Sequence, residues 1–271
     1  MNVVRLRLAP ALNVMRHAFS AGVADYRAIF SWRSWIAGWM VRVIAQVSFF
    51  GLIGLRVADE RSAFYLLIGN ALAVAAQAGV FSLNMTTAER WAGTLPLLVA
   101  SPSSPVIVFA ARGAYLAVDG ALSALLALFI AGPAFGLHLP WPRILAVIPL
   151  TALVALSAYC LGTFLAGIVF RFREINGLVV NTTYVGLMAA CGVNVPLSYY
   201  PGAIEWLSHA LPLTNGLLAI REVFEGSSAA TILGHAGAEA LVGAAWITLA
   251  LLTFNRLAAR GRLDGSLDYG A

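Results

Sequence analysis

The sequence predicts an all-α integral membrane protein with six transmembrane helices, an N-terminal interfacial helix, a cytoplasmic coupling helix and re-entrant outer-leaflet helices before the last span. Three observations lead there. Of 271 residues, 61% are hydrophobic and only 11% charged, with a mean hydropathy of +0.85, outside the composition of soluble domains. Stretches such as 66–83, 106–131 and 144–170 are each long enough for a hydrocarbon core of about 30 Å, which takes about 20 residues at about 1.5 Å per residue. The formal charge of +5 comes from Arg with no Lys, and its short segments between apolar stretches suit the orientation of spans better than a groove for nucleic acid.

Residues 1–33 form a cytoplasmic amphipathic arm. Arg5, Arg7, Arg16, Arg27 and Arg33 are spread through it with no compact apolar core before Asp25, unlike a cleaved signal peptide. Leu12, Phe19, Tyr26, Ile29, Phe30, Trp32 and Trp35 supply an apolar side that can lie in an interface. The six-span region is expected over 34–257, with span one at 34–55 and span two at 63–84, joined by the charge-balanced turn of Arg56, Asp59, Glu60 and Arg61.

The segment 85–105 reads as a short helix along the membrane: Thr86 and Glu89 have capping-box spacing, Pro96 limits the helix, and Pro102 and Pro105 punctuate the return. Span three is expected at 106–130, span four at 143–170 and span five at 175–193. Between spans three and four, Trp141 is placed as an interface anchor. In 194–228, Pro196, Pro201, Pro212 and Gly216 leave pieces too short to cross, so outer helices that enter and turn back are expected. Span six comes next at 235–257, then a cytoplasmic tail at 258–271. With both termini inside, twelve Arg fall in inner segments and four, Arg56, Arg61, Arg143 and Arg221, in outer ones, which sets the orientation.

Chemistry is sparse. No metalloprotease, redox-dithiol, nucleophile-elbow or phosphate-loop pattern is present, and His17, His138, His209 and His235 are scattered. No metal site, cofactor or catalytic residue is assigned, and Cys160 and Cys191 read as buried free thiols. Four polar residues inside spans stand out. Arg42 and Gln46, four apart, share a helix face and either pack against a buried acid or line a route. Asp119 and Glu239 belong either to a polar translocation surface or to hydrogen-bonded bundle glue. Ala73, Ala76, Gly79, Gly113, Ala117 and Gly120 permit close helix approach.

Three segments carry a family resemblance: ERWAGTLPLLVASPSSP at 89–105, FRFREINGL at 170–178 and LSHALPLTNGLLAIREVFEG at 207–226. With the order of elements around them, the chain resembles the membrane permease subunit of type-2 ATP-binding-cassette (ABC) exporters over nearly its whole length. The resemblance implies a homodimer or heterodimer of permease chains in a bacterial inner membrane, bound to two copies of a cytoplasmic ATPase that holds the ATP and Mg. Glu89, Arg90, Gly93, Thr94 and Leu95 match the family's ATPase-touching segment, and Arg171, Arg173 and Glu174 its second inner contact. Implied cargoes are drugs, lipids, lipid-linked sugars and polysaccharides. A non-transporting membrane assembly or sensory subunit is the alternative reading of the same spans.

Overall fold

The computed structural model of the chain describes residues 2–57, 59–85, 93, 105–169 and 175–264. The expected coupling residues Glu89, Arg90, Thr94, Leu95, Arg171, Arg173 and Glu174 lie outside them. The long described elements are α1 (Asn2–Ile29), α2 (Val41–Val57), α3 (Glu60–Val80), α4 (Pro105–Gly113), α5 (Tyr115–Ala134), α6 (Val147–Val169), α7 (Asn176–Ala190), α8 (Gly202–His209), α9 (Thr214–Glu225) and α10 (Ala229–Asp264).

Five helical segments are long and apolar enough to cross a membrane: Trp32–Arg56, Glu60–Leu83, Ile107–Ala134, Arg143–Val169 and Ala229–Phe254. They fall on the expected spans one to four and six. The stretch expected as span five contains α7, whose 15 residues reach about 22 Å at about 1.5 Å per residue. Residues 170–174 just before it are outside the described set.

Local chemistry explains several boundaries. Asp59 caps α3 by accepting from the Ser62 amide at 2.8 Å, which starts the second span. The last span begins earlier than its hydropathy suggests, because Ser228 accepts from the Thr231 amide at 3.2 Å and so caps a helix from Ala229. That helix then runs to Asp264, into the stretch expected as a tail. The first span opens with a π-helical segment, Trp35–Met40, which apolar periodicity does not announce. Its widened turn places two indoles against α5: Trp35 Nε1 donates to Asp119 Oδ1 at 2.8 Å and Trp39 Nε1 to Ser123 Oγ at 2.9 Å. Both pairs step by four residues, so the two helices are joined twice along one seam.

The centre of the bundle is α3, which packs against α2, α5 and α6, while α10 lies along α6 and α9. In the membrane-length window of the second span 83% is buried, against 22% in the first and last spans, so those two present open faces. The approach expected at the small residues is real. A Cβ on Gly79 would lie 2.7 Å from the Ala155 carbonyl oxygen, and one on Gly120 would lie 2.6 Å from Ala78 Cβ. Without a hydrophobic drive between helices inside lipid, such backbone approach is what gives dispersion contact. Cys160 and Cys191 are buried free thiols.

In the stretch 194–228 the prolines divide the chain as their spacing predicts. A 3-10 turn at Leu197–Tyr199, α8 and α9 occupy it, with α9 only 12 residues long. Its end is closed by paired bonds, Ser227 N–H to the Glu222 carbonyl at 3.0 Å and Gly226 N–H to that of Val223 at 3.3 Å, a Schellman arrangement.

Candidate functional site

Four polar constellations hold the apolar bundle together, and each sits where separate helices meet. The first surrounds the ends of the two expected inner segments. Asn84 lies just past the second span and Asn176 opens α7, and Asn176 Nδ2 donates to Asn84 Oδ1 at 2.8 Å. The flanks of 85–105 and of 171–174 are therefore fastened to each other, so displacement of one is felt by the other. Gly93 has φ +67 with nothing within 4 Å of an added Cβ. Space is free there, but the left-handed backbone itself disfavours a branched or bulky side chain.

The second constellation docks α1. Asp25 Oδ2 pairs with Arg112 Nη2 at 2.5 Å, and Tyr26 OH donates to the Asp119 Oδ1 that also receives Trp35. Burial, then the bond to Asp119, raise the Tyr26 pKa above the ordinary phenol value, so its hydroxyl remains a donor at physiological pH. Gly22 lies so close to the Arg112 carbonyl that a Cβ would collide with backbone. The arm expected as interfacial is thus a long helix whose C-terminal part, Gly22 to Tyr26, is locked onto α4 and α5.

The third constellation is centred on Glu239, fully enclosed at 0% exposure. From α10 its Oε1 accepts from the Leu213 amide at 2.9 Å and its Oε2 from the Gly216 amide at 3.0 Å. These are orphan donors at the start of α9, where the helix dipole also favours negative charge. The last span therefore supplies an N-cap to a helix more than twenty residues earlier in the chain. Gly216 makes room for this, since a Cβ would press on Val154 and lie 3.3 Å from Glu239 Cγ. Leu213, at φ +89, is held in the left-handed region with its side chain at 0% exposure. Burying a leucine yields about 1.5–3 kcal/mol, comparable with the roughly 1–3 kcal/mol such a backbone costs, so the two amide bonds to Glu239 decide that the conformation holds.

Near that cap, Arg221 on α9 reaches back to the second span. It donates through Nη1 to the Gly192 carbonyl at 2.9 Å and through Nη2 to that of Tyr65 at 3.1 Å, with its Cζ 3.4 Å from the Tyr65 ring centroid. Tyr65 OH donates to the same Gly192 carbonyl at 2.7 Å. By sequence Arg221 is only an outer charge. Its spacing in IREVFEG gives no sign of this bracket, because all its acceptors come from other elements.

The fourth constellation gathers Arg42 and Gln46, which the sequence pairs, with Gln77 of α3 and Tyr184 of α7. Arg42 Nη2 donates to Gln77 Oε1 at 3.1 Å and its Nη1 approaches Gln46 Oε1 at 3.4 Å. Gln46 Nε2 donates to Tyr184 OH at 2.9 Å. The guanidinium lies over Trp39, 4.4 Å from the ring centroid, a cation–π contact. Arg42 itself is exposed. Asp119 and Glu239 are not part of this group. Among the described residues, no three His, Cys, Asp or Glu side chains converge as a metal site would require.

No curated protein matches the sequence. A protein-family model described as ABC-2 type transporter matches residues 24–224, from the docked end of α1 to the last turn of α9.

Proposed function

We propose, for a chain that belongs to the ABC-2 type transporter family, an ATP-driven export cycle in which this permease subunit moves its cargo outward while a separate ATPase supplies the energy. The protein is a multi-pass membrane subunit of an ABC transporter. The match over 24–224 carries the reading, since it includes both inner segments and all but one of the spans. In the proposed assembly two ATPase copies bind ATP and Mg, a second permease chain, identical or different, completes the transmembrane part, and both termini face the cytoplasm of a bacterial inner membrane. The twelve-to-four distribution of Arg supports that orientation. Residues 175–193 supply the sixth crossing, and 194–228 enters the outer leaflet and returns. The cargo is a lipid, drug, lipid-linked sugar or polysaccharide.

Coupling arises from placement. The segment 85–105, with Glu89, Arg90, Gly93, Thr94 and Leu95, docks on the ATPase, and Arg171, Arg173 and Glu174 make the second contact. The Asn84–Asn176 bond at 2.8 Å favours the two moving together, so that closure of the ATPase on ATP biases one packing of the bundle over another. The test compares Glu89→Ala, Gly93→Leu and Leu95→Asp for membrane abundance, ATPase copurification and cargo-stimulated ATP hydrolysis. Normal abundance with lost copurification or coupling is expected. Wild-type coupling in all three rejects the contact, and a stable partner with no nucleotide site indicates an assembly subunit instead.

A further inference from the structure

We propose that Arg42, with Gln77, Gln46 and Tyr184 around it, is a mid-membrane recognition site for the anionic headgroup of an amphiphile. The site rests on the permease function and narrows its cargo.

Depth is the first observation. Arg42 is ten residues beyond Trp32, where the first span begins, which is about 15 Å along a helix and near the middle of a hydrocarbon layer of about 30 Å. A cation there is costly unless it is paired or faces water, and such residues mark pathways. Arg42 is paired with no carboxylate among the described residues, where the ion pair is Arg112 with Asp25. Its contacts are two amide oxygens and an aromatic face. The carbonyls orient the guanidinium without neutralising it.

Free donor capacity is the second. Guanidinium has five N–H groups in a planar fork, of which two are engaged by Gln46 and Gln77. The remainder suit a phosphate or carboxylate, which Arg binds in a two-pronged manner. Tyr184 accepts from Gln46, which leaves its own proton for an anion.

The third concerns what else could neutralise Arg42. Within the five spans the acids beyond the first turn are Asp119 and Glu239. Asp119 is taken by Tyr26 and Trp35, and Glu239 is sealed against α9. A second copy laid on this face would bring the same engaged acids and another Arg42, which adds positive charge. Among the described spans no acid is left for Arg42, and an external anion supplies the complement. The adjoining surface suits a hydrocarbon tail: Val41 is 58% exposed, Phe49 59% and Val185 62%.

The experiment uses the purified full chain in bilayer discs and measures its association with spin-labelled phosphatidylglycerol against spin-labelled phosphatidylcholine. Wild type is expected to prefer the anionic lipid by about tenfold or more, the scale of charge-assisted hydrogen bonds, and Arg42→Gln to lose that preference. Arg33→Gln and Arg56→Gln, at the two ends of the span, should keep it. Gln77→Glu is the companion variant: it sets a carboxylate against Arg42, satisfies the cation internally and should also abolish the preference without stripping the site. Inorganic phosphate at millimolar concentration should not displace the lipid; displacement would assign the site to a soluble anion and overturn the amphiphile. Undiminished preference in Arg42→Gln or Gln77→Glu, or none in wild type, overturns the site. The binding measurement needs no ATPase. Failure of the site leaves ATPase copurification and coupling intact, whereas failure of the permease reading leaves lipid selectivity intact.

Discussion

At the scale of single residues, the polar groups of this bundle act where backbone would otherwise be unsatisfied. Glu239 is the clearest case, because its two oxygens meet two amides at the start of α9 and no water from a bulk phase reaches a group at 0% exposure. Glu239→Ala should destabilise the protein by on the order of 3 kcal/mol, from two buried donors left without acceptors, while Glu239→Gln, which keeps one oxygen, should cost roughly half as much. Thermal unfolding in one detergent reads the difference. If Glu239→Ala matches wild type, the cap is not what holds Leu213 at its positive φ. Asp59 shows a pH-dependent counterpart at an exposed position. Accepting from the Ser62 amide holds its carboxyl below the ordinary value of 3.8. A depressed folded-state pKa contributes stability that is present above the unfolded value and lost as pH falls through the folded one. The protection factor of the Ser62 amide, its exchange rate corrected for the intrinsic pH dependence, should therefore fall on acidification below that range, and Asp59→Asn, which caps without ionising, should remove the dependence. Equal acid sensitivity in both would place the titrating group elsewhere.

At the scale of elements, α1 is joined to the bundle by backbone contact at Gly22, the Asp25–Arg112 pair and the Tyr26–Asp119 bond. Gly22→Leu and Asp119→Leu should both loosen α1 and speed tryptic cleavage after Arg27, whose side chain is already exposed, without preventing insertion, since the spans insert by hydrophobicity. The contacts share one docked helix, so the double variant should fall short of the sum of the singles; full additivity would mean that α1 is held by independent pieces. This docking shows what the sequence carries and what it does not. The charged turn before α3 and the proline-divided stretch before α10 depend on local spacing and are legible in it, although the expected start of span two at residue 63 misses the cap that Asp59 provides. The π-helical turn at Trp35–Met40 is not, because its reason lies in Asp119 and Ser123, more than eighty residues away. The same holds for Arg221, whose carbonyl acceptors come from three separate positions. Arg42 and Gln46 are legible as a shared helix face, but the partners that complete the group, Gln77 and Tyr184, are supplied by packing alone.

At the scale of the molecule, one central helix is enclosed while the first and last spans are open, and the fold has two ends with different characters. One end carries the Asn84–Asn176 fastening and the docked α1; the other carries α8, α9 and the Arg143 guanidinium bonded to the Gly226 carbonyl at 2.6 Å. Proline and glycine spacing leaves no uninterrupted crossing length in 194–228, and α9 is bonded at its start to Glu239 and along its length through Arg221. The proposed outer-leaflet return carries a topology test: cysteines replacing Tyr199, which is 79% exposed, and Glu225 should both be labelled from outside by a membrane-impermeant maleimide in intact cells, whereas one at position 89 should be labelled only after the inner side is opened. The native background should be silent, because Cys160 and Cys191 are buried and a thiol must be reached as thiolate to react. Labelling of positions 199 and 225 from opposite sides would make 194–228 a crossing, reverse the sidedness of α10 and its tail, and require the Arg asymmetry to be explained by something other than orientation.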